Sequence, residues 1–575
     1  MERDPSVAFA ALRLPQDDTR RTLRLAALCT IIIALAGGLA VFIIPRGFLS
    51  YRSLFYEQFA RLESPHLFLM ALFATAALLL ARGPEMAPVE SLDQPSTRTV
   101  GRAYWLAVAF ATLVIIVGFR AAFDGYFLAD DEYSAWFQTL IFAHGRAAAV
   151  VTPAWCRFLP ALTPTTIVES SPCTLTLGFP PLHSLYRSAF VVLHADFLAG
   201  PVTLALTIAF VAATARRLWP GKPHRTLVTI LVLATSTQML FTSMTMYSMP
   251  THLLMSAMWL WLFVVGTPWA IVLLPVVGFV AFGVHSPIPH GLWVIPFILR
   301  FAWRRQWLAF VYLAVGYAVN AAFWTHRLGF GGVTGSALAS ASATTSAVRS
   351  LFGIPDTIDQ LTTAMHIALV GTWNSPIVLL CLMVALLSWR RLDTMSRDLV
   401  LSIGLIVLAR AFQRTAQGEG WGYRYVYDAL TNIALLTAVG LDFIAEAIGK
   451  RRATLLATTS VAASVLLQIP LRMVGVRSIV APYARTYDWM SHLPAQVVVF
   501  NGDDVMWARQ MLRNDPFLRA RPVLMEVHGL SKRGGLTALQ AAFPAGQVRV
   551  VTKDELRQFG APPAPLRFGG ITSPP

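Results

Sequence analysis

Residues 104–140 read "YWLAVAFATLVIIVGFRAAFDGYFLADDEYSAWFQTL". The first half is an unbroken apolar run of the length a bilayer requires, about 20 residues. It ends at Arg120, and three adjacent carboxylates follow after a short turn: Asp130, Asp131 and Glu132. Beyond them Tyr133, Trp136, Phe137, Leu140, Ile141 and His144 recur at steps of three and one, the period of a helix face. A membrane span thus delivers an acidic cluster to the start of a second helix. That helix suits the membrane interface, with its aromatic rings at headgroup level. The acids sit where the helix dipole favours negative charge.

The rest of the chain has the same character. Of 575 residues, 56% are hydrophobic and only 13% charged, and mean hydropathy is +0.58. A soluble domain carries about 25% charged residues, so a soluble globular chain, a disordered chain and a disulfide scaffold with only 4 Cys are all excluded. The expected fold is an all-α polytopic membrane protein. About thirteen apolar runs read as spans, at roughly 25–44, 66–82, 103–120, 197–215, 226–243, 251–266, 268–284, 290–302, 308–325, 372–389, 398–413, 427–447 and 453–471. The net charge of +16 lies mostly at the ends of these runs. That pattern belongs to membrane topology rather than to nucleic-acid binding.

Arg20, Arg21 and Arg24 precede the first run, and Arg98 and Arg102 the third. Arg216, Arg217, Lys222 and Arg225 precede the fifth. Arg304 and Arg305, Arg390 and Arg391, and Lys450, Arg451 and Arg452 follow the eighth, tenth and twelfth. All fall on one side, which is therefore cytoplasmic. The N-terminus is then inside and the C-terminus outside, in the periplasm if the membrane is a bacterial inner one. Cys156 and Cys173 share the long outside loop 121–196, where an oxidising compartment lets them pair. Closing such a loop stabilises it by about 3 kcal/mol; the bland alternative is two free thiols.

Three segments are expected: 1–102 with two extra spans, a transmembrane core 103–472, and an extracytoplasmic α/β domain 473–575. In the last, "QVVVFNGDD", "RPVLMEV" and "GQVRVVT" read as strands, and "DVMWARQMLRND" and "LTALQAAF" as helices. Three neighbouring carboxylates repel one another, so at least one pKa is expected to rise unless a cation compensates. Residue physics alone leaves open whether these acids only cap a helix.

The pair "DDEYSAW" and "GFPPLHSLYRSAFVVLH" resembles the first outside loop of GT-C superfamily glycosyltransferases. Protein O-mannosyltransferases and bacterial lipid A aminoarabinose transferases are nearest in pattern. In these families a span leads to an Asp-Glu motif, an interfacial helix, and a Pro-Pro segment opening another. The resemblance covers roughly residues 103–450. It implies transfer of a sugar, with inversion, from a polyprenyl-phosphate donor to a hydroxyl of an envelope glycan, glycolipid or protein, at the outer face. It also implies Asp131 as general base, Glu132 as its partner and Asp130 as the runner-up for the base. The family usually has His before the Pro-Pro pair. This chain has Phe179 there and His183 just after, which weakens that carry-over.

The leaving phosphate needs a cation, and no lysine lies near the outer membrane face. Arg424 in "GEGWGYRYVYD", with Tyr423 beside it, resembles the superfamily's late Arg-Tyr loop and is the expected phosphate ligand. Arg187 and Arg414 are weaker alternatives. His285 and His290 in "GVHSPIPHGLW" either line the sugar cavity or form a polar turn; their spacing is no zinc signature. No metal ligand set is assigned, and a divalent metal stays open because the superfamily varies. The glycine- and serine-rich stretch 329–347 reads as a linker or a lid. Two other classes share the lipid substrate: a lipid-linked glycan flippase or other transporter, and a glycan polymerase or ligase. A transporter would place charges deep in its spans, whereas most acids here lie at span ends.

Overall fold

The structure is a computed structural model. It describes residues 16–43, 53–83, 95–164, 166–328, 353, 357–413, 420–531, 535–544 and 546–563. The 329–347 stretch and Arg414 lie outside the described residues.

Among the described residues, seven helices are long and apolar enough to cross a membrane: Asp17–Val41, Ser64–Arg82, Thr97–Ala121, Asp196–Leu218, Trp307–Thr325, Arg424–Ile448 and Lys450–Ser491. Counting Pro223–Thr235 and Thr237–Ser243, bent by 49°, as one span makes eight. The expected thirteen is therefore wrong. The error lies in equating each apolar run with a crossing. The runs at 251–266, 268–284 and 372–389 yield the apolar helices Met249–Val265, Pro268–Val284 and Val378–Leu387, only 17, 17 and 10 residues long. At 1.5 Å per residue, ten residues reach about 15 Å, half of the hydrocarbon core. The last run merges into a helical stretch of 42 residues that continues well past it.

The helix Leu430–Ile448 is the centre of the bundle; the span containing it is 72% buried, the highest share of the seven. Gly440 lets it approach Val378–Leu387 closely, since a Cβ there would lie 2.1 Å from the Cys381 carbonyl oxygen. Small residues at such contacts let membrane helices pack by van der Waals contact. Arg424 enters this helix through the 3-10 turn Arg424–Ala429.

The loop after the third span folds into the helices Asp130–Ala143 and Leu182–Val192. They are tied by the Ser184 hydroxyl, which donates to the Ala135 carbonyl at 3.0 Å. Between them lies an antiparallel sheet of Ala149–Val150, Thr174–Leu177 and Ile167–Ser171 in that spatial order. An all-α core did not anticipate it.

The helix Ile469–Ser491 carries the chain to a second sheet, parallel, in which Val497–Phe500 lies between Val523–Glu526 and Val548–Val550. Both faces of its central strand are buried, as in parallel sheets generally. Val497, Val499, Val523 and Met525 pack with Tyr133, Phe137 and Leu159 of the loop. Val498, Phe500 and Leu524 join the main core. The helix expected at 504–515 is absent; only the 3-10 turn Ala508–Met511 forms, after Trp507 at φ 55. The backbone there serves other partners. The carbonyls of Gln510 and Asn514 accept from the hydroxyls of Tyr126 and Tyr133.

Candidate functional site

The acidic triplet occupies the first turn of Asp130–Ala143. Successive residues on a helix point about 100° apart, so the three carboxylates face three environments. Asp131 forms an ion pair with Arg424, 293 residues away. It is the most accessible of the three, its side chain 32% exposed. Asp130 turns toward Arg513 at 3.7 Å and is 15% exposed. Glu132 is fully buried and accepts from the Ala129 N–H at 2.9 Å and the Trp421 indole at 3.3 Å. Burial pushes the Glu132 carboxyl up to about 7, against the pull of those donors and of the Thr245 hydroxyl. Burial likewise lifts Asp130 to about 6, with Arg513 opposing and the Asp131 charge adding to the rise.

Arg424 is held from several sides. Its guanidinium lies over the Tyr247 ring, 4.4 Å from the centroid, a cation–π contact. The loop before it is fixed by Gln238, whose amide donates to the Trp421 carbonyl at 3.0 Å and accepts from the Tyr423 N–H at 2.8 Å. This bend requires Gly420 at φ 139 and Gly422 at φ 68; a Cβ on Gly422 would meet the Gln238 amide oxygen at 1.8 Å.

Tyr423 points away from this pair. Its buried hydroxyl accepts from Asn374 at 2.7 Å. His183 is buried and spends both ring nitrogens at the start of Met249–Val265, at 3.0 Å from the Thr251 hydroxyl in its first turn and from the Met246 carbonyl just before it. Burial pushes its imidazole down to about 3. His290 is occupied by Ser256 and Tyr317, each at 3.1 Å. His285 meets the Ser248 hydroxyl at 3.1 Å. Its ring lies 5.5 Å from that of His252, which is bonded to Asp428. Arg187 lies beside Tyr186 and Asp196. Cys156 and Cys173 are joined by a disulfide. Among the described residues, no three or more His, Cys, Asp or Glu side chains converge to hold a metal ion.

Three chains of known structure share this architecture to different degrees. ArnT from Cupriavidus metallidurans bound to undecaprenyl phosphate matches with a TM-score of 0.50 and 15% identity over 78% of this chain and 89% of that one. The same protein in the apo state gives 0.50 and 14% over 75% and 86%. The Archaeoglobus fulgidus oligosaccharyltransferase reaches 0.46 at 11% identity over 75% and 64%, too distant to argue from. The fold is like that of the two ArnT structures. No protein-family model and no curated protein sequence matches the chain.

Within that fold, several residues escaped sequence reasoning. Gln238, Trp421 and Tyr247 organise Arg424, and Arg513 reaches the triplet from the C-terminal segment. The one signal for the loop was its glycine pair, Gly420 and Gly422, which marks backbone at positive φ. Nothing local to Gln238 or Arg513 announces a role.

Proposed function

We propose that the protein transfers a sugar from a polyprenyl-phosphate donor to a hydroxyl acceptor, with inversion, at the outer face of a bacterial inner membrane. The acceptor is an envelope glycan, a glycolipid or a protein. The observation that carries this reading is the Asp131–Arg424 pair, a carboxylate and a guanidinium joined at one accessible point of a GT-C-like fold. The ArnT structure with undecaprenyl phosphate supports a lipid phosphate as the donor's carrier.

In this mechanism the acceptor oxygen attacks the anomeric carbon while Asp131 takes its proton. The bond from that carbon to the phosphate oxygen breaks, and its electron pair leaves with the polyprenyl phosphate. Arg424 neutralises the charge that grows there, a task suited to its planar fork. Asp131 and Arg424 satisfy each other until substrate arrives. Glu132 holds the Trp421 loop rather than the acceptor. The parallel sheet of the C-terminal segment, on the periplasmic side, packs against Tyr133, Phe137 and Leu159 of the outer loop.

The test is mass spectrometry of envelope glycans and polyprenyl-phosphate sugars from a deletion strain, complemented by wild type or by Asp131→Asn. Loss of one sugar increment, accumulation of its donor, and rescue by wild type alone support the reading. Full rescue by the Asn variant removes Asp131 as base. It would bring forward the flippase or transporter reading, for which the buried Glu63–Arg472 pair is the nearest candidate charge. That pair is saturated by Thr372 and Trp373, as a structural pair should be.

A further inference from the structure

Arg513 lies in the C-terminal segment, 383 positions after Asp130, and its guanidinium links its own segment, through the Leu512 carbonyl at 3.1 Å and the Gln510 side-chain oxygen at 3.2 Å, to the backbone leading into the acidic motif. Nε donates to the Phe127 carbonyl at 3.1 Å and a terminal nitrogen donates to the Leu128 carbonyl at 2.7 Å. The other terminal nitrogen stands 3.7 Å from the Asp130 carboxylate. The cation rests 4.5 Å from the centre of the Tyr133 ring and 5.5 Å from that of Tyr126. It is 6% exposed.

Its neighbours bind the same stretch. The Tyr126 and Tyr133 hydroxyls, on either side of the triplet, donate to the carbonyls of Gln510 and Asn514. Asn514 in turn pairs through its amide with both backbone groups of Leu524, at 2.8 Å each, and donates to the Leu162 carbonyl at 2.9 Å. Residues 126–133 are therefore clamped from the parallel sheet, not from the membrane bundle alone.

Because adjacent helical residues diverge by about 100°, only one of Asp130 and Asp131 can face Arg424. The arginine that holds Asp130 decides which. We propose that Arg513 is a positioning residue: it sets the rotation of the first helical turn so that Asp131 meets Arg424, and the C-terminal segment is thereby part of the catalytic apparatus. This rests on the transferase reading above. A planar fork bonded to two successive carbonyls fixes both position and rotation, which a lysine point charge does not.

The experiment uses full-length protein and three readouts on wild type, Arg513→Gln and Arg513→Lys. The first is hydrogen exchange of the peptide spanning 126–137. The second is binding of undecaprenyl phosphate. The third is restoration of the missing sugar increment in the deletion strain. Arg513→Gln is expected to raise exchange in that peptide and to bind undecaprenyl phosphate at least as tightly as wild type, because Arg424 is untouched. It is expected to lower restoration about 100-fold, the scale of a misplaced catalytic group. Arg513→Lys should fall between the two in exchange and restoration.

Wild-type exchange or wild-type restoration in Arg513→Gln overturns the proposal. A parallel loss of lipid binding also overturns it, since that would mean general damage to the site. If Arg513→Gln does not accumulate, Arg513→Lys carries the test, and wild-type behaviour in exchange and restoration overturns the proposal. If wild type itself restores nothing, the transferase reading falls, while the exchange data still decide whether Arg513 holds the motif.

Discussion

The guanidinium of Arg424 donates to the carboxylate of Asp131 while its face rests 4.4 Å from the centre of the Tyr247 ring. One cation is thus shared between a proton acceptor and an aromatic platform. In the proposed reaction the same cation must turn to a phosphate. Asp131 and the donor phosphate therefore compete for Arg424, and the two functions separate by mutation. Asp131→Asn should lower transfer by about 10²- to 10⁴-fold, the usual worth of a general base. It should bind undecaprenyl phosphate at least as tightly as wild type, because Arg424 loses its internal anion. Arg424→Ala should lose that binding. Titration of purified protein in detergent checks both; weaker binding by the Asn variant contradicts the competition.

Gly422 provides a second test, of how Arg424 is held. Its φ of 68 and the 1.8 Å approach of a Cβ to the Gln238 amide oxygen make Gly422→Ala costly in two ways. The left-handed backbone costs about 1–2 kcal/mol for a residue with a side chain, and the Gln238 amide must move. Gln238→Ala removes the same clamp from the other side. Both variants should fold and lose transfer, and their losses should not add, since residues in one network couple. Additive losses in the double variant would separate Gln238 from the loop.

Glu132 predicts a pH dependence of stability. Its carboxyl rises from an ordinary 4.5 to about 7 because it is buried. The folded state then holds a proton that the unfolded state releases between about pH 4.5 and 7. Stability falls as pH rises through that window and levels off above it. The contribution is on the order of 3 kcal/mol from one fully buried group. Thermal unfolding in detergent should show the midpoint dropping from pH 5 to 7.5 in wild type, and dropping less in Glu132→Gln. Equal slopes for the two proteins would assign the dependence elsewhere.

The helix after the acidic triplet was legible because its period is local. So were the three strands at 497–500, 523–526 and 548–550, as short β-branched runs. What failed was whatever depends on partners far along the chain. An apolar run records burial or membrane contact but not which, so Val378–Leu387 and Met249–Val265 passed as spans. The Gln510–Asn514 stretch has helical composition, yet its carbonyls belong to Tyr126 and Tyr133. The triplet's register was ambiguous for the same reason, since Arg424 and Arg513 are nearly 300 and 400 residues away.

Glu63 shows the same limit and supports the last prediction. It lies just before the second long helix, in a stretch that sequence reading left outside the catalytic core. Its carboxylate is 2% exposed and meets Arg472, itself fully buried, at 2.5 and 3.2 Å. The Thr372 hydroxyl and the Trp373 indole complete its shell at 2.5 and 2.8 Å. Arg472 also stacks over Trp373 at 4.0 Å. The Trp373 carbonyl accepts from the Gln238 N–H at 2.9 Å. The pair therefore stands behind the clamp that holds Arg424. Glu63→Gln strands a buried guanidinium, and breaking such a pair costs about 3–5 kcal/mol. Replacing both partners, Glu63→Gln with Arg472→Met, removes the stranded charge and should recover much of that stability. Transfer should recover less, because the stack on Trp373 is gone. Thermal unfolding and complementation on the single and double variants test this. A double variant no more stable than Glu63→Gln would show that the ion pair is not what the single substitution disturbs.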